Sequence, residues 1–175
     1  MRKACLTVMS VALLVGCSTD ITGDAIADSP TDQTFDPCTI PDSTITAAGL
    51  DPASRESMAD RGYTTPGWTI CGWEGPAGDP WYSFTVYFSE TYTLEDVREN
   101  PQNTNFSDVS IAGRTAVVYK VDIVDEGDTC DVAFDTASGV ATFTVLTLEA
   151  GIARSDVCDI AESHVRDVAM ALPAN

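Results

Sequence analysis

The chain has a single histidine, His164, so any nucleophile–base pair of the common kind must be built on it. His164 lies among Val157, Ile160, Ala161, Val165, Val168 and Leu172, which recur at helical spacing, and so falls on an apolar stripe. That is the position of a packing histidine, not of an exposed base. No GxSxG, P-loop, HExxH or dinucleotide-binding pattern occurs. The remaining reactive groups are carboxylates, 27 in all. The stretch VDIVDEGDTCD gathers Asp122, Asp125, Glu126, Asp128 and Asp131 near one inter-strand loop. Hard cations take clustered oxygens on a turn, which makes Asp125, Glu126 and Asp128 around Gly127 the nominees for a metal. The segment lacks the further ligand positions and closing Glu of an EF-hand, and a solvated loop without metal or cofactor is expected. In so acidic a chain almost any two acids could be named as a glycosidase pair, and no catalytic residue is assigned. Tyr63, Trp68, Trp73, Trp81, Tyr82, Tyr87 and Tyr92 fall within about thirty residues. Trp81 and Tyr82 begin a strand beside a Gly/Pro turn, where an exposed ring could meet a sugar or a peptide. They are the nominated ligand contacts, and core packing is expected for most of the others.

The N-terminus carries a different chemistry. Arg2 and Lys3 precede ACLTVMSVALLV, an apolar run of about a dozen residues and short for a permanent bilayer span. Leu14-Val15-Gly16-Cys17 then looks like a lipobox, the cleavage signal of bacterial lipoproteins. That resemblance implies that residues 1–16 are a signal peptide and that Cys17 becomes the acylated first residue, because a thiol can be alkylated to a stable thioether. Several acyl chains give stable anchoring where one is marginal. Cleavage would remove two of nine basic residues and no acid, taking the formal charge from −18 to −20. Such a chain repels phosphate backbones and anionic headgroups. Nucleic-acid binding is therefore excluded as a partner class, and membrane contact is expected through the anchor alone. The expected location is the extracytoplasmic face of the cell membrane.

With Cys5 in the leader and Cys17 in the anchor, Cys38, Cys71, Cys130 and Cys158 remain. An even number in an exported domain argues for two disulfides, with three connectivities open. A metal site is the weaker rival, since the chain has no CxxC pair and one histidine. Cys38–Cys71 and Cys130–Cys158 are the favoured pairs. Each closes a loop of about thirty residues, worth roughly 3–4 kcal/mol on the chain-entropy account. Trp73 is expected to pack on the first.

The elements that must position these groups follow from periodicity. Residues 17–35 read as a lipidated acidic tether and 36–175 as one α+β domain. A short helix is predicted between Asp42 or Ser43 and Gly49, and a further turn or two over DPASRESMADRG, with Asp51 as cap and Gly62 as terminator. GWTICGWEG and WYSFTVYFS are predicted strands, the second with Phe84, Val86 and Phe88 on one face and Ser83, Thr85 and Tyr87 on the other. TLEDVREN is predicted as a helix with a Thr93/Asp96 capping box. After a polar stretch come the strand RTAVVYKVDI and a hairpin of TCDVAFD and VATFTVLTLE about TASG. In the hairpin Cys130, Val132 and Phe134 point inward, and Asp131 and Asp135 outward. The last element is a long helix capped by Ser155, with Cys158 facing the sheet so that a Cys130–Cys158 bond staples helix to strand. The predicted architecture is α+β: a mostly antiparallel sheet of about five strands, a short N-terminal helix and a long C-terminal helix packed on the sheet.

These marks together resemble an actinobacterial lipoprotein family known as "domain of unknown function 3558". The marks are the lipobox at Cys17, Asp36-Pro37-Cys38 before a helix ending in Gly49, Cys71-x-Trp73, Gly113 after VSIA, Cys130 opening a hairpin, Cys158 in a terminal helix, and the ending Leu172-Pro173. The order of elements is also similar to the PsbP/Mog1-like fold. The resemblance implies an envelope location and disulfides, not an activity. The functional expectation is a non-enzymatic, monomeric binding or interaction module that holds an unknown envelope ligand or protein. An acid-residue hydrolase acting on cell-wall glycan is the first alternative. A lipid-binding carrier, with an apolar cavity between sheet and terminal helix, is the second.

Overall fold

A computed structural model describes residues 34–122 and 128–174. The chain there runs α1 (Asp42–Ala47), β1 (Asp51–Ser57), β2 (Thr69–Gly75), β3 (Tyr82–Ser89), α2 (Leu94–Glu99), β4 (Asn103–Ile111), β5 (Arg114–Val121), β6 (Thr129–Thr136), β7 (Gly139–Thr147) and α3 (Val157–Val168). The strands make one antiparallel sheet in the order β1-β2-β3-β7-β6-β5-β4. The α+β class, the antiparallel sheet and the C-terminal helix are as expected. The sheet has seven strands among the described residues instead of about five.

Both extra strands are edges, and their sequences hide them for the same reason. DPASRESMADRG was expected to be helical and is β1 with the turn that follows it. Asp51 does what an N-cap does, accepting from the Ala53 N–H at 2.9 Å, but the chain enters a bulge, not a helix. Ser54 Oγ accepts from the Glu74 N–H at 2.8 Å, so a side chain fills a gap in the ladder. An edge strand bonds on one side only, which is why Pro52 is tolerated there. The polar stretch NTNFSDVSI is β4, the opposite edge, bulged between Thr104 and Ser107 where Asn105 takes φ 55°.

The central strands follow their alternation. Phe84, Val86 and Phe88 of β3, Val132 and Phe134 of β6, and Ala141, Phe143 and Val145 of β7 are fully buried on one face. Ala161, Val165 and Val168 of α3 and Ile45 of α1 cover them. At nearly complete burial, each large apolar side chain here contributes about 1.5–3 kcal/mol. The β6–β7 hairpin turns on Ala137-Ser138, and Gly139 then passes so close to β3 that a Cβ would lie 1.9 Å from the Ser89 carbonyl oxygen. The cap of α3 is Asp156, one residue beyond the expected Ser155, accepting from the Cys158 and Asp159 N–H groups. The Thr93/Asp96 capping box of α2 is present in full.

Both disulfides are formed as expected. Cys38–Cys71 ties the N-terminal segment to β2 (Cα–Cα 5.2 Å), and Cys130–Cys158 ties the first turn of α3 to the start of β6 (Cα–Cα 5.0 Å). Trp73 lies fully buried in the same cluster as Cys71. Intact mass under non-reducing conditions should show Cys38, Cys71, Cys130 and Cys158 without a free thiol. Replacing Cys130 and Cys158 together by Ser should lower the unfolding free energy by roughly 3 kcal/mol in a urea titration. A variant as stable as the parent would show that the staple does not support the fold.

Candidate functional site

The pleat that sends Phe84 and Phe143 under α3 sends their neighbours to the other face. Tyr87 of β3, Thr142, Thr144 and Leu146 of β7, Thr129 and Asp131 of β6, and Tyr119 of β5 share that second face by register. A smaller apolar cluster forms there, in which Val97 of α2 packs with Val117, Tyr119, Ala133 and Val140. Asp135 holds α2 down by accepting from the Leu94 N–H at 3.0 Å, and Asn103 Nδ2 donates to the Val97 carbonyl at its far end. With only six residues, α2 covers part of this face. Beside it opens a cavity of about 740 Å³, within the range of small-molecule sites.

One wall of the cavity is aromatic. Trp68 stacks on Tyr92 with ring centroids 5.3 Å apart and meets Tyr87 edge-on at 6.3 Å. Ser89 Oγ accepts from the Thr91 and Tyr92 N–H groups, which fixes the turn that presents Tyr92. The floor carries Asp131, 3% exposed, with Thr144 Oγ1 donating to Oδ1 at 2.5 Å and Thr129 Oγ1 to Oδ2 at 3.4 Å. Burial is the main influence on this carboxyl and pushes it up to about 6, while the Thr144 and Thr129 hydroxyls and Lys120 pull the other way. Tyr87 and Tyr119 flank it, and both phenols are raised by burial first and by the Asp131 charge second. At the rim, Asp96 is held below the usual carboxylate range by its bonds from Thr93. Glu99 also lines the opening.

The expected site residues fall elsewhere. Trp81 and Tyr82 were nominated as exposed rings, but both are 5% exposed and belong to the α3-side core, because Tyr82 has the parity of Phe84. Their rings meet edge-on, and the Tyr82 hydroxyl and His164 Nε2 share a hydrogen bond of 2.8 Å. His164 is buried as a packing histidine and held down to about 4, chiefly by burial. Cys17, Asp125 and Glu126 lie outside the described residues. Asp128 is buried, and both its carboxylate oxygens accept from the Gly151 N–H, at 2.8 and 2.9 Å. Its observed role is to hold the turn after β7. Among the described residues no group of three metal-ligating side chains occurs. Asp131, expected to face solvent, is instead the buried floor of the cavity. Its alternation was legible, but the covering of that face by α2 and the Trp68 turn was not.

Fold and site define a small disulfide-stapled α+β protein with its core under a C-terminal helix and an aromatic, carboxylate-floored cavity on the opposite sheet face. The chain belongs to the family described as "Protein of unknown function (DUF3558)", which matches residues 12–170. No curated protein and no solved structure matches it.

Asp131 and His164 make stability depend on pH in opposite senses. Asp131 binds its proton more tightly folded than unfolded. Its contribution is therefore fully present below about pH 4 and lost as pH rises to about 6, a change of about 3 kcal/mol. His164 binds its proton less tightly folded, so its contribution is present above pH 6.5 and lost as pH falls toward 4, again by about 3 kcal/mol. Asp131→Asn should therefore stabilise the protein at pH 8 and leave it unchanged at pH 4. His164→Gln should flatten the acid-side loss. Denaturant unfolding across pH 4–8 checks both, and an unchanged profile in either variant would refute its assignment.

Proposed function

We propose that this protein is a lipid-anchored, non-enzymatic binding module on the outer face of the cell membrane, with the cavity beside α2 as its ligand site. The observation that carries this reading is the cavity itself. Its floor holds a carboxylate whose burial works against folding at neutral pH, and such a group is retained where a site needs it. Location rests on Arg2-Lys3, the apolar run and Leu14-Val15-Gly16-Cys17, together with the paired state of Cys38, Cys71, Cys130 and Cys158, which suits an oxidising compartment. The binding reading is favoured over a base-driven enzyme because His164 lies on the other face of the sheet, bonded to Tyr82. It is favoured over a lipid carrier because Phe84, Phe134, Phe143, Ala161 and Val165 fill the layer between sheet and α3.

Cys17→Ala should release the protein from the membrane fraction into the medium; continued retention would refute the anchor. Protein taken from the envelope and analysed by native mass spectrometry should carry a small molecule that Trp68→Ala loses. Identical spectra for the two proteins would refute the ligand site.

A hydrolase reading draws on one observation: Asp131, pushed up, and Asp96, held down, line the same cavity, as an acid and its partner would. Asp96 Oδ2, however, already accepts from both the Thr93 N–H and the Thr93 hydroxyl. Incubation with cell-wall glycan should release no new reducing ends. Release that disappears in Asp131→Asn would establish the enzyme instead.

A further inference from the structure

We infer that the cavity binds a small organic cation, an alkylammonium or quaternary ammonium group seated against Trp68, Tyr87, Tyr92 and Tyr119 with Asp131 as counter-charge. This rests on the reading of the cavity as a ligand site and names what it takes. Four observations converge on that chemistry.

The wall comes first. Aromatic faces attract cations through their quadrupole, most strongly where the cation is withdrawn from water, and Trp is the best of them. Trp68, Tyr87 and Tyr92 form a cluster, stacked and edge-on, and Tyr119 stands across the floor from Tyr87. The sign of charge comes second. Asp96, Glu99 and Asp131 line the cavity, and no Lys, Arg or His is among the described residues that do. Third, Asp131 is under-used. An ionised carboxylate offers about four acceptor sites, and two hydroxyls occupy two of them, one at 3.4 Å. An ammonium group would meet a carboxylate that has lost water and gained little in exchange. Fourth, the donors do not suit a hard metal ion, which wants several oxygens at one point. The described residues gather no such group, and four rings line the cavity beside its carboxylates.

The groups facing Asp131 set the pH response. Tyr87 approaches from β3, Tyr119 from β5, and Thr144 and Thr129 hold the carboxylate. Asp96 and Glu99 add negative charge across the opening from α2. Lys120 follows Tyr119 and so has the opposite strand parity, and its ammonium donates to the Thr129 carbonyl at 2.6 Å. It exerts the smallest of the influences on Asp131. Asp131 gains its charge as pH rises through about 6, so cation affinity should rise over the same interval.

The test uses the full chain in a polyoxyethylene detergent, whose headgroup carries neither charge nor sugar. Choline and its neutral carbon isostere, 3,3-dimethylbutan-1-ol, are titrated at pH 5 and pH 8 by calorimetry and tryptophan fluorescence. At pH 8 choline should bind about 10-fold or more tighter than the isostere, and the advantage should shrink at pH 5. Asp131→Asn should lose about 10-fold or more in choline affinity while binding the isostere as before. Trp68→Ala should weaken both probes. Circular dichroism confirms that each variant is folded, and Asp131→Asn is expected to be the more stable protein at pH 8. Equal affinity for the two probes, or full choline affinity in Asp131→Asn, would overturn the cation assignment and leave a site for neutral ligands. Failure of choline to saturate by about 10 mM would overturn it as well. In that event the Trp68-dependent cargo seen by native mass spectrometry decides separately whether the cavity is a ligand site at all.

Discussion

The pleat of the three central strands governs both halves of this molecule. In β3, β7 and β6 every second residue is pledged to the layer under α3, where Phe84, Phe134 and Phe143 lie fully buried. A strand has only two faces, so this leaves Tyr87, Thr142, Thr144 and Asp131 together on the other side. A one-residue slip in any of the three would exchange the sets, exposing phenylalanines and placing a carboxylate in the main core. Register is held where it matters most. Cys130–Cys158 pins the start of β6 to the first turn of α3, and Gly139 allows the hairpin to pass against Ser89.

The two faces differ in what they do for stability. The α3 face is mostly apolar, and within it the Tyr82 hydroxyl and His164 Nε2 share a hydrogen bond. The α2 face has a small apolar cluster, a cavity, and a carboxylate that burial opposes. Folding is stabilised by the first and drawn down by the second, which is the common arrangement where a site needs a group that the fold does not. Two disulfides reduce the entropy of the unfolded chain and offset part of that loss. Such bonds persist in an oxidising compartment, which agrees with the proposed lipid anchor and outward-facing site.

Much of the fold was legible in local chemistry. The capping box at Thr93 and Asp96, the alternation of WYSFTVYFS, the apolar stripe around His164 and the cysteine pairing all depend on neighbours a few residues apart or on loop closure. The two edge strands were hidden because an edge needs no apolar face and only half its hydrogen bonds. Asp51 and Pro52 spell a helix start until Glu74 supplies the partner that makes them a bulge. Parity places the rings expected to be exposed inside the core. Trp81 and Tyr82 stand beside a turn, but Tyr82 counts in step with Phe84 and therefore points into the core.

The sequence by itself determined the class of the protein: an acidic chain with a lipobox-like start, four pairable cysteines and strands whose alternation sorts their side chains into two sets. Those properties are local, or follow from composition. Only the tertiary structure decided which set would line the cavity. Asp131, Tyr87, Tyr119 and Trp68 are spread over three strands and a turn, and although an acidic stretch holds the first and an aromatic stretch holds Tyr87 and Trp68, neither stretch shows that they meet. They meet because strand order places β3, β7, β6 and β5 side by side, and because a helix of six residues covers that face incompletely. The buried carboxylate is a property of that incomplete covering.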